Sequence, residues 1–342
     1  MKHTSTRNIL RAAALLTFPF LFPFPYQNRL AMSLAHQPDM SIAPVIALSH
    51  GGGPLPLLGD KNHDAIVSSL RNRVPQILRL GTPSAPKAMV LVTAHWSTDV
   101  PSISSSAHHE LYYDYYGFPP EAYTIKYPAK GDPTLASEIK DLLQQEGLSA
   151  QLDASRGWDH GVFVPLSLIN PAADIPVVQL SVLESENPEE HLRMGKALRR
   201  LRERNIAIVG SGFASLHNMR ELMGLRAGNA VRTGFKALSD EWNGALTKAV
   251  MARSESERWT GLMGWRGLPH SERMHPLGGG EHFMPLVVCA GAAGDEEEGG
   301  VYRDEYMGID IFTYYWGGKS EDERKGQMDA EAEEEEKGKD EL

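Results

Sequence analysis

Residues 44–54 read PVIALSHGGGP. A short apolar run closed by glycines and a proline is a buried strand followed by a tight loop. The strand ends on His50, and the glycines after it leave the imidazole uncrowded. The same arrangement recurs at residues 88–96, AMVLVTAHW, which predicts a second buried strand ending at His95. VVQLSV (177–182) and IAIVGSG (206–212) supply a third and a fourth strand, and IDIFTYYW (309–316) a closing one. Helices are predicted between them. Residues 62–80 carry apolar side chains at helical spacing through Ile66, Leu70, Val74, Ile77 and Leu80. Residues 133–147 start on a proline and end on a glycine, residues 188–204 are amphipathic, residues 232–253 are helical, and residues 283–294 form a buried helix. Continuous apolar strands alternating with helices predict an α/β fold, a largely parallel, mixed central sheet flanked by helices. In open sheets of this kind the site lies beyond the carboxyl ends of the strands. His50, His95 and the segment from Gly210 to His217 all fall there.

The ends of the chain differ from its middle. Lys2, Arg7 and Arg11 precede AAALLTFPFLFPFPY, and no acidic residue occurs before Asp39. This pattern is a leader, residues 1–40, of secretory type; a mitochondrial presequence shares its arginines and missing acids. It is too short and proline-rich for a stable membrane span. Residues 318–342 form an acidic tail expected to be disordered, ending in Lys339-Asp340-Glu341-Leu342, the ER-retention address. Leader and tail together point to the ER lumen, with a mitochondrial or cytoplasmic location as the alternative. Residues 41–317 read as one domain, with no internal repeat or long linker. The net charge of -10 sits mainly in the tail, so the body offers no basic face for nucleic acid. Cys289 is the single cysteine, which excludes an internal disulfide and a thiolate metal cluster. Any transition metal here must take histidine and carboxylate ligands.

Five histidines lie in five differently shaped motifs: SHGGGP (His50), TAHW (His95), WDHGVFVPL (His160), GSGFASLHN (His217) and GEHFMPL (His282). Histidine is both a first-row metal ligand and a proton carrier near neutral pH. Any one of them alone is as well explained by packing; two at strand ends of one sheet reinforce each other. His217 falls near the first turn of a helix, and His282 follows Glu281 where an apolar helix opens. The remaining histidines read as solvated: His63 and His191 on polar helix faces, His108 and His109 in a tyrosine-rich loop, His270 and His275 in a loop with arginines. Gly210-Ser211-Gly212 lacks the further glycine, lysine or hydroxyl residue of a phosphate loop, so a nucleotide site is rejected.

Taken in order, SHGGGP, TAHW, YDYYGFPPEAYTIKYPAKGDP, WDHGVFVPL, VVQLSV, GSGFASLHN and EHFMPL resemble the class III extradiol ring-cleavage dioxygenases, the LigB superfamily. Within it they are most similar to the 4,5-DOPA dioxygenase-like branch. The resemblance spans residues 42–316. It implies an Fe(II) site, with zinc possible at the same place, and a catechol-type substrate that meets O2 there. It implies His50, His95 and His282 as metal ligands, with Glu281 as the fallback for the third, because more distant members use a glutamate. It implies His217 as the acid–base residue and His160 as a supporting contact to substrate. Tyr115, Tyr116 and Phe118 are candidate pocket-lining residues. HPLGGGEH is longer than the family's spacing at this point, which leaves His275 as a competing ligand, and residues 254–274 look like an insertion that could reshape the pocket mouth. The chain is expected as a monomer or homodimer. A zinc-dependent hydrolase on the same histidines and a non-catalytic metal-binding homologue are the alternatives; the hydrolase lacks an HExxH motif.

Overall fold

A computed structural model describes residues 42–228 and 234–318. The expected leader, and the tail beyond Gly318, lie outside the described residues. Eight strands form one sheet: β1 (Val45–Ser49), β2 (Ala88–Thr98), β3 (Ser102–Ser104), β4 (Gln151–Asp153), β5 (Val177–Leu183), β6 (Ile206–Gly212), β7 (Gly299–Tyr306) and β8 (Ile309–Trp316), in the order β4-β3-β5-β2-β6-β1-β8-β7. The central strands β5, β2, β6 and β1 pair in parallel, and every residue of β1, β5 and β6 is buried. That is why they read as unbroken apolar runs. The α/β expectation therefore holds, with its mixed character coming from the edges. β8 runs antiparallel to β1 and forms a hairpin with β7. The hairpin turns through Met307 and Gly308, both at positive φ, as two-residue hairpin loops require.

The helices are α1 (Asp64–Ser68), α2 (Val74–Ile77), α3 (Pro133–Gln145), α4 (His160–Ile169), α5 (Pro188–Arg202), α6 (Met219–Arg226), α7 (Phe235–Val250), α8 (Glu255–Met263), α9 (Ser271–Met274) and α10 (Met284–Ala292). The single helix expected over 62–80 is instead broken. A π-helical turn, Ser69–Arg73, separates α1 from α2. Pro75 has no N–H to donate one turn back, so regular α-bonding cannot run through it. β2 also differs from expectation. It continues past His95, but its register against β5 slips: Val92 pairs with Leu180 and Ser97 with Val182, so five residues advance on β2 against two on β5. The TAHW segment is a bulge, and it aims His95 out of the sheet's regular alternation.

α10 packs against α5 and over β6 and β1. Glycines make that approach possible. A Cβ on Gly195 would strike the Val288 carbonyl, and one on Gly291 the Leu192 carbonyl. Gly210 and Gly212 act alike on β6: a Cβ on Gly210 would come 2.6 Å from the Pro285 carbonyl, and one on Gly212 would strike that of His282. The GSG sequence is thus a bed for the His282 segment, fixed by the hydrogen bond from Phe213 N to His282 O at 2.9 Å. Two buried arginines serve the far end of α10. Arg202 donates to Ala43 and Ala292 carbonyls and pairs with Glu297, and Arg258 donates to Ala290, Ala293 and Gly294 carbonyls. They satisfy carbonyls that a helix leaves without partners at its C-terminus.

Three histidines expected in solvent are fully buried: His63, His191 and His275. Each is a structural tie. His63 Nε2 accepts from Gly52 N at 3.0 Å while its Nδ1 donates to Asp60. His191 accepts from Leu183 N and donates to the Asn187 carbonyl. His275 Nε2 donates to the Ala214 carbonyl at 2.8 Å, among the rings of Trp242, Trp265 and Phe283. Polar helix faces and arginine-rich loops suggest solvent only when nothing packs over them, and here later segments do.

Candidate metal centre

The five motif histidines meet at one point. His50 follows β1, His95 sits in the β2 bulge, His160 opens α4, His217 lies just before α6 with Asn218 as its N-cap, and His282 precedes α10. The ring centroid of His50 is 4.9 Å from that of His95 and 5.3 Å from those of His160 and His282. His95 lies 3.8 Å from His160 and 4.7 Å from His282, and His217 stacks on His282 at 3.3 Å. Ligand atoms of His50, His95 and His160 lie within 4.8 Å of one another, as do those of His217, Glu281 and His282. The two groups touch where His282 Nε2 meets His95 Nε2 at 3.1 Å. His275 belongs to neither group, since its Nε2 is spent on the Ala214 carbonyl.

The donor set fits a metal ion. His50 is buried, and neither of its ring nitrogens has a hydrogen-bond partner. A buried polar atom left unpaired costs about 1–3 kcal/mol, which a bound cation would remove. His282 donates from Nδ1 to Glu281 Oε1 at 2.8 Å, so its Nε2 carries a lone pair. That lone pair points at His95 Nε2, a separation suited to two nitrogens on one ion with bonds of about 2.0–2.1 Å. Burial first, then the charges of neighbouring histidines, holds His50, His95 and His282 well below the usual imidazole pKa. They are neutral, the form that ligates metals. Solvent reaches the cluster at His95 and His217, whose side chains keep 20% and 23% of their exposure.

A buried polar frame stands behind the rings. Asp159, at the start of α4, accepts from Thr93 Oγ1 at 2.8 Å and Gln179 Nε2 at 3.0 Å, and pairs with Arg156. Burial, then the neighbouring Asp114 carboxylate, pushes its pKa up to about 6. Arg156 also donates to the His95 carbonyl and stacks between Trp96 and Tyr112. The sequence reading missed Asp114, Thr93, Arg156 and Gln179. Gln179 carried a signal, a polar residue inside an apolar strand, and Asp114 was a lone carboxylate in a run of tyrosines. Among the candidate pocket residues, the ring centroid of Tyr115 lies 5.8 Å from that of His160, and Phe118 packs on Gly53. Tyr116, at 92% exposure, stands in solvent. The 254–274 segment meets the site at His217: the Met274 carbonyl accepts from His217 N at 2.9 Å, and the Arg273 carbonyl accepts from Asn218 Nδ2 at 2.9 Å. Trp265 stacks on Phe283 at 4.3 Å, and Arg266 bonds Glu186, which accepts from Gly280 N, so this segment also braces the GGGEH turn.

Among the described residues, no helix is long and apolar enough to cross a membrane. Residues 44–312 match the family described as the catalytic LigB subunit of aromatic ring-opening dioxygenase. A relative called dioxygenase tasH, from Hapsidospora irregularis, is 58% identical over 82% of this chain and 87% of its own. A 4,5-DOPA dioxygenase extradiol from Beta vulgaris is 32% identical over 76% of this chain and 91% of its own. A crystal structure of an uncharacterised protein from Escherichia coli K12 superposes with a TM-score of 0.59 at 26% identity, covering 80% of this chain and 99% of that one. The chain belongs to the LigB family of dioxygenases, on the extradiol side of it.

Proposed function

We propose that the protein opens the ring of a catechol-type substrate with O2 at a non-haem Fe(II) held by His50, His95 and His282. The observation that carries this reading is the buried His50 imidazole, neither of whose ring nitrogens has a hydrogen-bond partner, beside His95 and His282, which burial also holds well below the usual imidazole pKa. When bound, the metal would lower the pKa of both catechol hydroxyls and join ring and O2 electronically.

The protein residues handle protons and position. His217 Nδ1 lies 3.2 Å from the Glu281 carboxylate, which keeps the proton on that nitrogen and leaves Nε2 as an acceptor. It can take the second hydroxyl proton and return it as the O–O bond breaks. His160 Nδ1 donates to Asp114 at 2.8 Å, so its Nε2 is the edge that would meet a substrate oxygen. The Tyr115 ring beside His160 would give an aromatic substrate an aromatic neighbour, and its hydroxyl donates to the Ala122 carbonyl. Zinc would suit the same nitrogens.

Isotopically labelled O2 separates this chemistry from hydrolysis. The iron-loaded enzyme should place label in the carboxylate of a ring-opened product. A product that carries no label from O2 would support the hydrolase instead.

A further inference from the structure

Two carboxylates each touch a pair of the clustered histidines. Asp114 Oδ1 accepts from the His160 main-chain N–H at 3.0 Å and from its ring Nδ1 at 2.8 Å, while Oδ2 faces His95 Nδ1 at 3.4 Å. Glu281 Oε1 accepts from His282 Nδ1 at 2.8 Å and lies 3.2 Å from His217 Nδ1. In each pair one ring is a metal ligand in the reading above and the other handles protons or substrate. The two bridges come from different parts of the chain, a tyrosine-rich loop and the turn before α10.

Resting on that reading, we propose that Asp114 and Glu281 are positioning residues. Each holds one metal ligand and one histidine that meets protons or substrate in the Nδ1–H tautomer, which leaves Nε2 free on the opposite edge. A carboxylate bonded to the remote nitrogen of a ligating histidine fixes both its tautomer and its ring orientation. Here each carboxylate serves two rings, so one substitution disturbs metal binding together with either the substrate contact of His160 or the proton transfer of His217. The arrangement also gives Glu281 a task other than ligation: Oε1 is engaged by the Nδ1 edges, whereas the His282–His95 contact lies at Nε2.

The two bridges differ in a way that can be tested. Glu281 uses a single oxygen for both rings, and an amide oxygen can accept twice. Asp114 uses both oxygens, and the His160 N–H pins one of them. In Asp114→Asn the amide –NH2 must therefore face His95 Nδ1 and drive that ring to the Nε2–H form, which cannot ligate. In Glu281→Gln both rings keep their acceptor; in Glu281→Ala both lose it.

The test uses the purified full chain, with zinc affinity measured by chelator competition. Histidine tautomers are read from two-bond proton–nitrogen NMR of the metal-free protein at about pH 8, above the ordinary imidazole value of about 6.5. Asp114→Asn and Glu281→Ala should each weaken zinc about 10–100-fold. Glu281→Gln should stay near wild type, and His95 alone should switch to Nε2–H in Asp114→Asn. Wild-type zinc affinity and an unchanged His95 signal in a folded Asp114→Asn protein would overturn the proposal. So would a Glu281→Gln protein as weak as Glu281→Ala, because Glu281 would then be a ligand itself. Should Asp114→Asn fail to fold, the Glu281 comparison decides. A wild type that binds zinc but, with iron, takes up no O2 defeats the functional reading alone.

Discussion

At the scale of single residues, the proposed chemistry separates holding a metal from moving a proton. His50 is enclosed and neither of its ring nitrogens has a hydrogen-bond partner, whereas His217 is partly open and leans on Glu281. His50→Ala should abolish stoichiometric iron, measured by metal analysis after desalting. His217→Ala should keep the iron and lose turnover by about 10²–10⁴-fold, the usual share of a general acid–base. Equal iron loss in both variants would show His217 to be a ligand. All five clustered histidines were legible in the sequence, because strand ends and glycine turns mark where an α/β sheet presents side chains. Asp114 was not. Its partners lie 46 residues away at His160 and on another strand at His95, and no local pattern encodes such a pairing. His63, His191 and His275 failed in the opposite sense: their local surroundings are polar, yet distant segments bury them.

At the scale of elements, the site depends on how closely β6 lets the His282 segment approach. Gly212→Ala places a methyl against the His282 carbonyl and should destabilise the fold by about 1–3 kcal/mol in urea unfolding, with weaker metal binding. Gly224, inside α6, has open space where its Cβ would stand. Gly224→Ala should be neutral or stabilising by up to about 1 kcal/mol. Equal effects at the two positions would show that the close approach on β6 carries no special cost. The central parallel strands could be read directly, since burial on both faces removes any alternation. β3 and β4 could not, being three residues each, and β7 mixes charges with Val301 and Tyr302 along a sheet edge. The π-helical turn before α2 had a visible cause in Pro75, although helical spacing alone ran through it.

At the scale of the whole molecule, burying neutral histidines makes stability depend on pH. Burial lowers His191 to about 4 and His275 to about 3. The unfolded chain therefore binds protons there that the folded chain refuses. Their contribution is complete above the ordinary value of about 6.5 and is lost as pH falls through the folded values. Protonating His191 in place costs about 3 kcal/mol at 1.36 kcal/mol per pKa unit. Urea unfolding of the metal-free protein should thus show falling stability from about pH 6.5 downward, with a shallower fall in His191→Gln. An unchanged slope in that variant would remove His191 from the account. The sheet, its helices and the order of the motifs agree with one another, and the family match covers residues 44–312 of the same body.

The central claim is dioxygen chemistry on a catechol, and dissolved oxygen reports it most directly. Purified protein with confirmed iron occupancy should consume one O2 per catechol turned over, across a panel that includes DOPA, as a yellow ring-opened product accumulates. No oxygen uptake with any catechol on that panel, iron in place, would contradict it.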